Sequence, residues 1–123
     1  MNMPEIRKIL LADTQLMSLV TAIVPKPSSL LTNIIMYEET ITGDDGVVQL
    51  ARIQLTVVCD TEEQYGQIYD RISEKLLTPD DRPLTNRIRK VEFNGGGSMF
   101  DAARSKYHKI MYLNIKARSR KHL

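Results

Sequence analysis

The sequence of 123 residues carries a formal net charge of +2, with 42% hydrophobic and 26% charged residues, which is ordinary for one globular domain. It has no apolar run near the roughly 20 residues that a membrane-spanning helix needs, and no recognisable secretion signal. Cys59 is the single cysteine, which excludes a disulfide framework, and we expect it to be a small buried residue in a reducing compartment.

The charges are distributed unevenly along the chain. Before Arg82, six basic residues stand against thirteen acidic ones, a net charge of −7, whereas from Arg82 onward eleven stand against two, a net charge of +9. Such a split suits a basic surface that faces nucleic acid, or a subunit whose basic side meets the acidic side of a neighbour. The alternative is that folding intermixes the two halves on one surface.

The N-terminal part predicts two short helices. Asn2 can cap the first helix, with Pro4 in the first turn, where a missing N–H costs nothing. Asp13 is predicted to cap a second helix or to kink the first one. Pro25 and Pro27 predict that a loop follows.

Two strands come next. Residues 33–42 are rich in β-branched and aromatic side chains, and residues 47–59 alternate between apolar and polar positions. The alternation predicts one buried and one wet face, and the two strands are expected to pair as an antiparallel hairpin. The segment between them is a turn signal and consists of Gly43, Asp44, Asp45 and Gly46.

An amphipathic helix is predicted after the second strand. Thr61 and Gln64 have the spacing of a capping box, in which a side chain at each position bonds a backbone N–H of the other. Apolar residues then recur at steps of three and four from Tyr65 to Leu76, which predicts one helix face packed on the sheet. Pro79 lies beyond its predicted end.

The basic half predicts two more strands, at residues 88–93 and 107–117. Between them, residues 94–98 are expected to form a flexible loop, because Gly95, Gly96 and Gly97 follow one another. The functional alternative to a mobile linker is a loop that orders only against a partner. The predicted architecture is α+β, in the order α(α)ββαββ, with a largely antiparallel four-stranded sheet and amphipathic helices on one face. We expect one domain over residues 1–117 and a basic flexible tail over residues 118–123.

No catalytic, metal or cofactor site is predicted. An enzyme requires several groups in defined roles, and His108, His122 and Cys59 lack the spacing of a metal site. Ser98 follows three glycines but lacks the Gly that must come after the serine of a nucleophile elbow. We therefore expect a protein that is not an enzyme, with an enzyme of unrecognised site as the alternative.

The basic residues are the candidate binding groups. They could contact phosphates, but few aromatic residues are interleaved with them for base stacking and no nucleic-acid-binding signature is present. Non-specific exposure to DNA is therefore more plausible than specific recognition. The candidates for a subunit interface or a DNA channel are Arg87, Arg89, Lys90, Lys116, Arg118, Arg120 and Lys121.

Three segments resemble one known family. Residues 47–78 (VVQLARIQLTVVCDTEEQYGQIYDRISEKLLT), residues 6–20 (IRKILLADTQLMSLV) and residues 34–40 (IIMYEET) are similar to the tail-completion proteins of long-tailed bacteriophages and prophages, the tail-terminator or tail-to-head joining proteins related to the lambda terminator. The shared features are patterns of residue class. Residues 88–98 and the basic tail depart from the family pattern.

The resemblance implies a structural protein of the virion tail or neck, made in the host cytoplasm. It implies a homo-oligomeric ring, expected to be a hexamer, that caps the tail tube, stops its polymerisation and offers a surface to the head connector. Its partners would be the tail tube protein and the head connector protein, with non-specific DNA in the channel and no membrane. The glycine-rich segments 43–46 and 95–97 are candidate partner-contact loops. The alternatives are a head-completion or neck adaptor protein, or a small basic nucleic-acid-binding domain.

Overall fold

The computed structural model describes residues 1–26, 33–79 and 82–120, so Pro27, Lys121 and His122 lie outside the described residues. It confirms the predicted α+β class, with helices on a largely antiparallel sheet. The elements are α1 Met3–Leu11, α2 Thr14–Met17, β1 Ala22–Pro25, β2 Ile34–Asp44, β3 Val48–Cys59, α3 Glu62–Leu76, β4 Ile88–Asp101 and β5 Lys106–Arg118.

The sheet has one strand more than predicted. Its order is β1-β2-β3-β5-β4, with β1 parallel to β2 and all other neighbours antiparallel. The prediction of a loop at Pro25 is wrong, because Ala22–Pro25 forms the edge strand β1. An edge strand tolerates proline, since its missing N–H does not interrupt a ladder on both sides. Four residues are also too few to show an alternating pattern.

The central strand β3 carries the predicted alternation. Its side chains toward the helices are fully or almost fully buried, and residues on β5 continue the same apolar face. All three helices pack on that face, in one core cluster with both strands. The apolar residues of this layer on β3 and β5 are Ala51, Ile53, Leu55, Val57, Met111, Leu113 and Ile115.

The opposite face of the sheet carries no helix among the described residues. A smaller cluster of Ile34, Met36 and Val58 is buried there, at the end of the face next to β1. Elsewhere on this side, charged and amide side chains such as Arg52, Gln54 and Asn114 are exposed or half-buried. The fold is thus two-layered, with one helical layer and one sheet face left open.

The N-terminus of α1 is capped by a residue distant in sequence. Asn2 was predicted to cap with its own side chain, but it makes no such bond. Instead the Glu39 carboxylate on β2 accepts the backbone N–H groups of Asn2 and Met3 at 2.9 Å. A carboxylate is favourable there because the first turn of a helix presents free N–H groups and the positive end of its dipole.

The cap of α3 follows the sequence pattern. The Thr61 hydroxyl accepts the N–H of Gln64 at 3.1 Å, as predicted. The Gln64 side chain returns to the N–H of Asp60 at 3.0 Å, one residue before the cap. The helix ends at Leu76, where the N–H of Leu77 bonds the Ser73 carbonyl.

Asp13 both caps α2 and joins the helices. One carboxylate oxygen accepts the N–H groups of Gln15 and Leu16, and the other accepts the Arg71 Nε–H of α3 at 2.9 Å. Burial by itself raises the pKa of Asp13, but the bonds from Arg71, Leu16 and Gln15 outweigh it and hold the pKa below its ordinary value. The ionised carboxylate therefore stabilises the folded chain.

Residues 94–98 do not form the predicted loop. They lie within β4, which continues to Asp101 and pairs with β5 beyond a register shift between Phe93 and Gly96. Gly95 adopts a φ of 81°, which glycine supplies without strain. A Cβ on Gly96 would lie 2.2 Å from the Ile110 carbonyl oxygen. The glycines permit a bulge and a close approach of two backbones rather than a free loop.

Substitution at Gly96 tests this reading of the glycines. We expect Gly96→Ala to lower the free energy of unfolding by about 1–3 kcal/mol, because the added methyl forces β4 away from the Ile110 carbonyl. The matched control is Gly97→Ala, since a Cβ at Gly97 meets nothing within 4 Å. Urea unfolding monitored by circular dichroism measures both variants, and an equal loss in the two would contradict the close approach.

The Asp13 link predicts a specific dependence of stability on pH. Because the folded-state pKa lies below the ordinary value of 3.8, the stabilisation is complete above that value and is lost as pH falls through the lowered pKa. Asp13→Asn should cost about 1–3 kcal/mol at neutral pH, since it removes the charge that pairs with Arg71.

The measurement is the free energy of unfolding of wild type and Asp13→Asn from pH 7 to pH 2. The gap between the two proteins should narrow below pH 3.8. Asp70→Asn on the exposed side of α3 is the control and should stay within about 0.5 kcal/mol of wild type. A gap that is constant over the whole range would rule out the ionised link.

Candidate assembly interface

The helix-free face of the sheet, here called the open face, gathers side chains from four strands. Alternation points these residues away from the helices, and the antiparallel registers place them side by side. A shallow depression of about 460 Å³ lies between β3, β5 and β4, lined in part by Leu50, Lys90 and Lys116. Besides the buried Ile34, Met36 and Val58, the open face includes Glu38, Leu50, Arg52, Lys90, Glu92, Tyr112, Lys116 and Arg118.

Three of the predicted basic candidates meet on the open face. Lys90 on β4 lies directly opposite Lys116 on β5, and Arg118 follows two residues later on the same side of β5. Lys90 forms an ion pair with Glu92 at 3.0 Å. Among the described residues, the side chains of Lys116 and Arg118 have no ion-pair partner. Their charges are therefore directed at solvent or at a partner.

Arg52 extends this surface on β3. Its guanidinium lies 3.9 Å from the centre of the Tyr112 ring, a cation–π contact across the β3–β5 pair. Leu50 is two residues earlier on the same face of β3 and is 48% exposed. The open face thus combines positive charge with an aromatic ring and an exposed leucine, the composition of many protein–protein contacts.

Arg87 does not belong to this surface. Its side chain is only 10% exposed and bonds Glu5 of α1 at 2.8 Å. The same guanidinium also donates to the Asn2 side chain and the Met1 carbonyl. Burial acts to raise the pKa of Glu5, but the bonds from Arg87 and Thr85 and the nearby Arg87 charge lower it overall. Arg87 ties the N-terminus to the segment before β4.

The other predicted candidates are scattered. Arg89 is exposed at the register shift that begins β4. Arg120 reaches Glu5 at 3.3 Å on the helical side. Ser119 is buried, and its N–H bonds the Val47 carbonyl at 3.0 Å. Arg118 to Arg120 of the predicted flexible tail are therefore held against the domain, and Lys121 lies outside the described residues.

Folding also intermixes part of the two charged halves. Lys106 pairs with Asp60, and Lys109 pairs with Glu62 at 3.0 Å. The bond from Lys106 is the main cause of the lowered pKa of Asp60. These pairs join the acidic and basic halves of the chain, as do those of Arg87 and Arg120 with Glu5, and Arg87 and Arg120 were candidates for a partner in the sequence prediction.

The exposed side of α3 carries an acidic stripe, defined by Glu63, Gln67, Asp70 and Glu74. These positions recur at steps of four and three and lie opposite the buried Ile68, Ile72 and Leu76. No described residue forms an ion pair with Glu63, Asp70 or Glu74. Sequence reasoning identified the buried stripe of this helix but not the acidic one, although the same periodicity contains both.

The glycine segment of β4 borders an aromatic depression. Tyr69 of α3 lies 5.1 Å from Phe93, measured between ring centres, and Gly95 to Gly97 line the same depression. Further along β4, Met99 and Phe100 are 60% and 51% exposed. These glycines remain candidate partner contacts, now as part of an edge strand.

The second predicted contact segment is an ordered turn. Asp44 Oδ1 accepts the Gly46 N–H at 3.0 Å, and Asp45 Oδ1 accepts the N–H groups of Val47 and Val48 at 2.8 Å. The bonds from Val48 and Val47 lower the pKa of Asp45. These oxygens are occupied by the backbone of the turn itself.

Two further observations concern the described ranges alone. They contain no group of three or more His, Cys, Asp or Glu residues that could hold a metal ion. No helix within them is long and apolar enough to cross a membrane.

Cys59 is buried, and burial raises the pKa of its thiol, which disfavours the reactive thiolate.

Comparison with known proteins finds similarity among solved structures. No protein-family model matches the sequence, and no curated protein matches it. Among solved structures, a chain of the "Virion of native gene transfer agent (GTA) particle" superimposes with a TM-score of 0.71 at 15% sequence identity, covering 93% of this chain and 92% of that chain. At this identity the similarity establishes the fold. The chain therefore has, over nearly its whole length, the fold of a protein found in a virion.

Proposed function

We propose that this chain is a structural protein of a phage-like particle. The observation that supports this is the correspondence with the gene transfer agent virion chain, which extends over 93% of one chain and 92% of the other. A match of that extent spans nearly the whole of both chains. It does not depend on a local motif.

Within such a particle, we propose the role of tail terminator. In this role the chain forms a ring, expected to be hexameric, that caps the tail tube, ends its polymerisation and presents the surface that joins the head. The family resemblance of residues 6–20, 34–40 and 47–78 supports this role. The tail tube protein, the head connector and DNA in the channel are its proposed partners, and its proposed place is the tail or neck of the virion.

The two-layered fold suits a ring subunit. An interface between unlike surfaces of identical subunits grows as a filament unless its rotation closes it into a ring. The chain presents two different exposed surfaces, the open face of the sheet and the acidic stripe of α3. A closed ring leaves no free copy of either surface, so no further copy of this chain is added to it.

Deletion of the gene in a producing bacterium tests the proposed role. If the chain caps the tube, tubes should vary in length, exceed the normal length and lack attached heads, as seen by electron microscopy of lysates. Expression of the wild-type chain from a plasmid should restore both length and attachment. Tubes of normal length with unattached heads would favour the neck adaptor instead, and normal joined particles would contradict a role in the tail or neck.

A further inference from the structure

We propose that the open face of one copy binds the acidic stripe of α3 of a second copy. This inference rests on the proposed function and assigns the two surfaces through which neighbouring subunits meet. The partner is a second copy of this chain, and the contact joins unlike surfaces, so each subunit uses both.

The open face carries two basic side chains whose charges are not neutralised within one copy. Lys116 and Arg118 are successive residues on that side of β5, and neither has an ion-pair partner among the described residues. Lys90 lies opposite Lys116 but is ion-paired with Glu92 at 3.0 Å. An acidic surface bound across the face would neutralise Lys116 and Arg118.

The same molecule offers an acidic surface of matching spacing. In a helix, Asp70 and Glu74 are separated by about 6 Å along the axis, and Glu63 lies about 10 Å before Asp70. On a strand, Lys116 and Arg118 are about 7 Å apart. The Asp70–Glu74 pair can therefore lie over the Lys116–Arg118 pair.

The positions of the two surfaces determine the kind of assembly. The acidic stripe is on the outer side of the helical layer, and the open face is on the other side of the sheet. A copy bound through one surface leaves its other surface available for the next copy. This head-to-tail arrangement allows a ring to close and excludes a two-fold symmetric dimer built from one surface.

A protein partner fits the open face better than DNA does. Glu38 and Glu92 lie on this face beside the basic residues. A phosphate backbone that crosses the face would meet both carboxylates, whereas the Asp70–Glu74 pair covers only about 6 Å over Lys116 and Arg118. The exposed Leu50 has no favourable contact to make with a phosphate backbone, whereas it can be buried by a helix.

Charge reversal on each surface tests the proposal. Sedimentation velocity at low ionic strength should show concentration-dependent association of the wild-type chain. We expect both Lys116→Glu with Arg118→Glu, and Asp70→Lys with Glu74→Lys, to weaken self-association by at least about tenfold, because each variant places like charges in contact. Lys8→Glu, at an exposed position on α1 that belongs to neither defined surface, is the control and should associate as wild type does.

Mixing the two reversed variants is the decisive measurement. Each variant supplies the surface that the other requires, so an equimolar mixture should associate although neither variant does so alone. Circular dichroism of each variant confirms that it is folded. A wild-type chain that stays monomeric at every concentration, or a mixture that stays monomeric, would overturn the proposal.

The remaining outcomes separate this inference from its rivals. If the mixture stays dissociated and Lys116→Glu with Arg118→Glu abolishes binding to a duplex oligonucleotide, the open face is a nucleic-acid surface and the proposal is wrong. If the mixture associates but deletion of the gene leaves normal joined particles, the docking contact stands and the proposed role in the tail fails.

Discussion

Burial of one face of β3 is the constraint from which the other features of this fold follow. β3 is the central strand, with β2 on one side and β5 on the other, and its alternate apolar residues pack under all three helices. Burying apolar area is the main favourable contribution to folding, so the helices gather on that face. The opposite face remains without a helical layer in the described structure. The open face is thus a consequence of the same alternation that builds the core.

The ion pairs explain why the charge asymmetry of the sequence is smaller at the surface. Glu5 with Arg87, and Glu62 with Lys109, join segments from the acidic half to segments from the basic half. The antiparallel pairing of β3 with β5 brings these halves together. The described residues without an ion-pair partner include Lys116 and Arg118 on the sheet and Glu63, Asp70 and Glu74 along the outer side of α3. The open face and the acidic stripe therefore carry charges that the internal ion pairs do not neutralise.

The glycines of β4 show how tertiary context changes the meaning of a local pattern. Three consecutive glycines indicate a mobile segment when they are considered alone. In the structure they continue an edge strand, where Gly95 has a positive φ and Gly96 allows the Ile110 carbonyl to come close. Hydrogen bonding to β5 offsets the entropy that glycine loses on ordering. The C-terminal part of β4, with exposed Met99 and Phe100, could not be recognised as a strand before the pairing of β4 with β5 was known.

The sequence by itself determined the hairpin of β2 and β3, the cap of α3 by Thr61 and the apolar faces of β3 and α3. Those features depend on residues close together in the chain, through periods of two and of about 3.6 residues and through capping bonds. Only the tertiary structure decided that β1 is a strand, that Glu39 caps α1, that Arg87 is internal and that Lys90 lies opposite Lys116. Each of these depends on partners from distant segments, and a linear pattern contains no information on the register that brings such segments together.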